Sequence, residues 1–203
     1  MANEGVIKFN LTHHPGPAPS AETIADVNRW RQRLFGLEMI GQDPTRYDGY
    51  GFGNVSVRVP EGFWVTGTQT GGLKVLTPEH YVLVMHADPK SNAVTSAGPL
   101  RPSSEALTHA ALYRCDAAID CVLHVHAPQL WHAAEQLGLS VTDPAVPYGT
   151  PQMSSEIVRL YRTTNRQADL ISMGGHEDGL VAFGPSPDAA GAVIETALMR
   201  LSE

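Results

Sequence analysis

Val122-Leu123-His124-Val125-His126-Ala127 is the stretch that decides how the rest of the chain is read. On a β-strand successive side chains point to opposite faces, so residues two apart look the same way. His124 and His126 therefore share one face, while Leu123 and Val125 share the other, which is apolar and suits a core. Two imidazoles projected from a rigid strand suit a first-row divalent metal, because neutral imidazole nitrogen is the commonest protein ligand for zinc. The competing reading is two ordinary histidines in a half-buried strand. The surroundings of the pair must decide between them.

Downstream, residues 128–137 predict a helix and 138–147 a loop, with His132 a structural residue among apolar neighbours. A helix is expected over residues 154–161, capped by Ser154 or Ser155, and strands over 170–173 and 180–183. Between those strands stands Gly174-Gly175-His176-Glu177-Asp178-Gly179. A histidine next to glycines on a strand-to-strand connection supplies the third ligand that His124 and His126 need. The last helix is expected over residues 187–201, with Ala190, Val193, Ile194, Ala197, Leu198 and Leu201 inward.

Upstream, Pro102-Ser103-Ser104-Glu105 opens a helix that leads into the histidine strand. Ser103 and Ser104 stand where an N-cap belongs, and a helix N-terminus attracts anions. Glu105 either complements the helix dipole or serves as a general acid/base beside a metal. His109 is expected to pack on its own helix or to hydrogen-bond within it. Earlier still, residues 51–66 read as a hairpin turning at Pro60-Glu61-Gly62. Thr66-Gly67-Thr68-Gln69-Thr70-Gly71-Gly72-Leu73 follows, dense in hydroxyls and glycines that let backbone N–H groups approach an anion. No P-loop motif is present, and Gly51 and Gly53 lack the third glycine and the following helix of a dinucleotide site. Residues 81–85 read as a strand and 91–98 as a hairpin loop. Ser20 caps a helix striped by Ile24, Val27, Trp30, Arg31 and Leu34 and closed by Gly36. The three prolines of residues 13–19 mark a loop, with His13 and His14 on the surface.

With 203 residues and 42% hydrophobic content, the chain is expected to form a single domain over residues 1–203, residues 1–20 being a loop or arm. No apolar run spans a membrane, and residues 1–10 lack the order of a signal peptide, so a cytoplasmic location is expected. Cys115 and Cys121 read as reduced thiols. A net charge of −7 without a Lys/Arg cluster argues against nucleic-acid and membrane partners. A small, anionic substrate fits, because local donors outweigh a distant net charge.

The motifs Gly53-Asn54-x-Ser56, Thr66-Gly67-xxx-Gly71-x-Leu73, Pro102-Ser103-Ser104-Glu105-xxx-His109-xxx-Tyr113, His124-x-His126 and Gly179-Leu180-Val181-Ala182-Phe183-Gly184 occur in an order that resembles the class II aldolase/adducin family. The resemblance runs from about Val27 to the C-terminus. It implies an α/β fold, three-layer α/β/α with a mainly antiparallel central sheet, commonly assembled as a homotetramer. It also implies Zn2+ or another divalent transition metal on His124, His126 and His176, with Glu105 as the acid/base. Asn54, Thr66, Gly67, Ser103 and Ser104 become a substrate-phosphate site. One departure bears on the metal: the family's third histidine directly precedes the glycine, a place held here by Asp178, which is therefore the alternative third ligand.

These residues point to a lyase that cleaves a small hydroxy-carbonyl compound, a sugar phosphate, by retro-aldol chemistry through a metal-stabilised enediolate. The same constellation also supports decarboxylation, epimerisation or dehydration. A non-catalytic adducin-like binding module is the alternative from another class, which the joint presence of Glu105, His124 and His126 disfavours.

Overall fold

A computed structural model of the chain describes residues 5–164 and 166–202. Strand β1 (Asn10–His14) precedes helix α1 (Ala21–Gly36), whose Ser20 cap accepts the Thr23 N–H at 3.1 Å. The short strands β2 (Gly41–Gln42) and β3 (Gly51–Phe52) pair with each other. Then come β4 (Asn54–Val59), β5 (Gly62–Thr66), β6 (Tyr81–Asp88), β7 (Ala93–Ala97) and α2 (Ala106–Cys115). The second half supplies β8 (Cys121–His126), α3 (Pro128–His132), β9 (Ser140–Val141), α4 (Pro151–Thr164), β10 (Asp169–Ser172), β11 (Gly179–Gly184) and α5 (Pro187–Leu201).

Nine strands form one sheet in the order β1-β7-β6-β5-β4-β8-β11-β10-β9, which puts the histidine strand β8 near its middle. Alternation in β8 divides the core as expected. Val122 joins the cluster beneath α2 and α4, and Leu123 and Val125 join the one beneath α1, α3 and α5. Helices thus cover both faces of an α/β sheet.

The sheet is mixed. Its interior pairings are antiparallel, whereas β1 runs parallel to β7 and β9 parallel to β10, so the antiparallel expectation needs correction at both edges. Residues 10–14 are likewise not a loose arm but an edge strand, with His13 half-buried and its Nδ1 2.9 Å from Ser96 Oγ. Residues 1–4 of the expected arm lie outside the described residues. The expected hairpin loop over 91–98 is strand β7, its small residues alternating buried and half-buried between β6 and β1. Helix α4 begins at Pro151, where the Thr150 hydroxyl accepts the Met153 N–H. The helix expected through residue 137 ends at His132, which is exposed and not a core residue. Among the described residues no helix is long and apolar enough to cross a membrane.

Candidate metal centre and anion cavity

Strand β8 lies antiparallel between β4 and β11, with all six residues buried. His124 stands opposite Asn54 on one side and Val181 on the other, and His126 opposite Gly179. The turn between β10 and β11 is closed by His176 N–H donating to the Met173 carbonyl and Gly179 N–H to the His176 carbonyl, both at 2.9 Å. That turn folds His176 back over the end of β8. Its ring centroid lies 4.9 Å from that of His124 and 4.7 Å from that of His126. One ligand nitrogen from each of the three rings lies within 4.8 Å of the others.

The triad fits a divalent metal on several counts. His124 Nδ1 is 3.0 Å from the Leu180 carbonyl, which can only accept, so the proton sits on Nδ1 and the Nε2 lone pair is presented. Burial holds His126 well below the ordinary imidazole range, and pushes His176 down to about 4 against the opposing pull of the Glu105 carboxylate. Both are therefore neutral near pH 7, the form that ligates metal. Nitrogens bound about 2.1 Å from a tetrahedral zinc stand about 3.4 Å apart, so modest rotations of the three rings close the site.

Asp178, the alternative ligand, is directed elsewhere. It occupies the left-handed region at φ 61°, and its Oδ2 accepts from the Tyr47 hydroxyl at 2.6 Å, with Arg46 Nη2 3.8 Å away. The Tyr47 ring meets His126 edge-on at 4.6 Å between centroids. Burial and the Asp178 hydrogen bond raise the Tyr47 phenol, so it stays a donor. Arg46 and Tyr47 carry no motif and were not anticipated. The glycines beside His176 serve space rather than backbone freedom: a Cβ on Gly175 would stand 1.8 Å from the Val146 carbonyl oxygen, and one on Gly174 2.4 Å from that of Thr142.

Glu105 is fully buried at the start of α2, its Oε2 accepting from the Thr108 hydroxyl at 2.7 Å. Its Oε1 lies 3.8 Å from where a Cβ on Gly149 would stand, and the preceding Tyr148 stacks on His176 at 4.2 Å. Lys8 completes this wall, donating to the Tyr148 carbonyl at 3.0 Å with Nζ 3.4 Å from the ring centroid. Nothing in the local sequence marks Lys8, because its partner lies 140 residues away. The ring of His109 bonds outside its helix. Its Nδ1 meets Ser56 Oγ at 2.6 Å, and Tyr113 OH meets the same hydroxyl at 2.7 Å, which ties one face of α2 to β4. Burial, reinforced by His124, pushes His109 down to about 3.

Asn54, Gly67, Ser103 and Ser104 line a small polar cavity together with residues of the loop 68–71. The bridge between Gly67 and Pro102 brings that loop to the start of α2. Ser103 Oγ accepts the Glu105 N–H at 3.2 Å. Thr66 is the exception among the expected anion ligands: it does not line the cavity, and its hydroxyl accepts the Val55 N–H at 3.2 Å. Thr68 lines the cavity instead.

An L-fuculose-1-phosphate aldolase from Thermus thermophilus has a similar fold, with a TM-score of 0.68 at 19% identity over 90% of this chain and 92% of that one. A sugar-phosphate aldolase from Thermotoga maritima gives 0.67 at 14% identity over 89% and 92%. In sequence, 81 residues are 37% identical to a methylthioribulose-1-phosphate dehydratase of Leptospira interrogans, a match spanning 36% of this chain and 31% of that relative. Residues 44–199 match the family described as Class II Aldolase and Adducin N-terminal domain. Covering most of the chain, this match shows that the protein belongs to that family.

Proposed function

We propose that the protein is a divalent-metal-dependent lyase acting on a small phosphorylated hydroxy-carbonyl compound. The observation that carries this reading is the convergence of His124, His126 and His176 with a buried Glu105 whose two preceding residues, Ser103 and Ser104, line a cavity of neutral donors. A scaffold has no physical need to bury three neutral imidazoles and a carboxylate together, since each costs solvation. His124, His126 and His176 would hold the ion, zinc or another divalent transition metal. Once bound, it supplies Lewis acidity to a substrate carbonyl. Asp178 is assigned to orienting Tyr47 against the triad rather than to ligation.

Glu105 is the group that moves the proton at the carbon beside the carbonyl. Thr108 pins Oε2, which fixes the carboxylate plane and leaves Oε1 toward the Tyr148–Gly149 wall. Asn54, Ser103, Ser104 and the backbone of Gly67 are assigned to the substrate phosphate, with Thr68 in place of the Thr66 hydroxyl. Lys8, Tyr148 and Tyr47 narrow the space around the reacting carbons and exclude water.

Retro-aldol cleavage is the first reaction proposed. Dehydration is the second, favoured by the local identity to a methylthioribulose-1-phosphate dehydratase, since both need proton transfer beside a carbonyl. A homotetramer is part of the same reading. Incubating metal-loaded protein with a panel of ketose 1-phosphates and following products by mass spectrometry tests it. Aldehyde release supports cleavage, and loss of one water supports dehydration. Turnover of no panel member by fully metal-loaded protein refutes the lyase reading.

A further inference from the structure

The anion cavity is built from neutral donors: among the described residues no lysine, arginine or histidine lines it. Directly beneath the loop, however, lies Arg31 of α1, 1% exposed. Its Nη2 donates to the carbonyls of Thr70 at 3.1 Å and Gly71 at 2.8 Å, and its Nη1 to that of Lys74 at 3.2 Å. Among the described residues no carboxylate pairs with it. Tyr81 of β6 bears on it too, but burial keeps that phenol neutral. A buried guanidinium without a counter-ion is costly, and it persists here because three carbonyls are turned onto it.

Turning those carbonyls has a geometric result. In a trans peptide the N–H points opposite to the C=O, so a Thr70 carbonyl aimed at Arg31 aims the Gly71 N–H away from it. Gly71 N lies 3.4 Å from the place of a Cβ on Gly51, and both glycines line the cavity. Gly71 is also held without a side chain, since a Cβ there would stand 2.4 Å from the Gly41 carbonyl oxygen. The guanidinium thus orients the loop's donors and leaves one full positive charge a single peptide unit below them.

We propose that Arg31 is the positioning residue and buried counter-charge of this cavity, orienting the donors of the loop 68–71 through the carbonyls it holds. This rests on the reading of the cavity as the phosphate subsite. Calorimetric titration of zinc-loaded protein with inorganic phosphate tests it, with zinc content measured on each sample and Ser104→Ala as the control that places the phosphate in the cavity. In Arg31→Met, phosphate affinity is expected to fall about tenfold or more with zinc content unchanged, and Arg31→Lys to recover part of it. The wild-type affinity should rise as phosphate passes from monoanion to dianion, and this rise should flatten in Arg31→Met. An Arg31→Met protein that binds zinc and phosphate as the wild type does would overturn the inference alone. Should that variant not fold, Arg31→Lys decides: it keeps the charge but cannot span three carbonyls, so wild-type affinity in it overturns the positioning role. A wild type that binds zinc but no phosphate overturns the phosphate reading itself.

Discussion

A histidine can be placed to ligate or merely to pack, and the difference lies in which nitrogen carries the proton. At His124 the Leu180 carbonyl makes that choice. His124→Ala and His126→Ala should each empty the site, as seen by elemental analysis of purified protein, and full occupancy in either would remove the triad. If Asp178 supports the triad through the Tyr47 hydroxyl it accepts from, Asp178→Asn should weaken metal binding or activity about 10- to 100-fold, the loss typical of a supporting partner. Glu105→Gln should retain metal yet lose about 10²- to 10⁴-fold in turnover, since an amide cannot accept the proton. Unaltered turnover would take Glu105 out of the mechanism.

Helix α2 is held to the sheet by polar contacts as well as by its apolar residues. His109 and Tyr113, four residues apart and so on one face, both meet the Ser56 hydroxyl. Ser56→Ala leaves two buried polar groups without this partner and should cost about 3 kcal/mol in urea denaturation. Combined with Tyr113→Phe, the loss should be smaller than the sum of the two single losses, since both remove the same network. The N-cap position of α2 is Glu105 and not Ser103 or Ser104, but Ser103 Oγ accepts the Glu105 N–H just ahead of the helix while Ser103 lines the cavity, so its replacement touches both. Ser20→Ala in α1 is the simple counterpart, expected to cost about 1 kcal/mol with metal binding untouched.

For the whole molecule, the buried neutral His109 is expected to contribute to the loss of stability in acid. His109 is held at about 3 in the fold against 6.5 for the free side chain. Between those values the unfolded chain binds more protons, so this contribution is complete above about pH 6.5 and is lost as pH falls below it. By pH 5 the loss from this one residue is about 2 kcal/mol, and His109→Gln should flatten the corresponding slope in denaturation curves from pH 7 to 5. Sedimentation should show a species of four 21.9 kDa chains. How much of this was legible in advance follows from which properties are local. The two-residue alternation of β8 and the helical periodicity of α1 and α5 are consequences of backbone geometry within a few residues, so the pairing of His124 with His126 and the major elements could be read directly. The end of β8, the Ser103-Ser104-Glu105 turn and the late histidine were visible as motifs for the same reason. Tertiary structure alone decided the parallel pairing of β1 with β7, because strand direction depends on partners far along the chain. It also turned Asp178, two residues from His176 in one turn, onto the hydroxyl of Tyr47 some 130 residues earlier, which the local sequence does not show. Arg31 read as part of a core stripe, and only the loop folded over it reveals a buried charge whose partners are carbonyls. Periodicity reports which side a residue faces, whereas its partners there are set by the packing of distant segments.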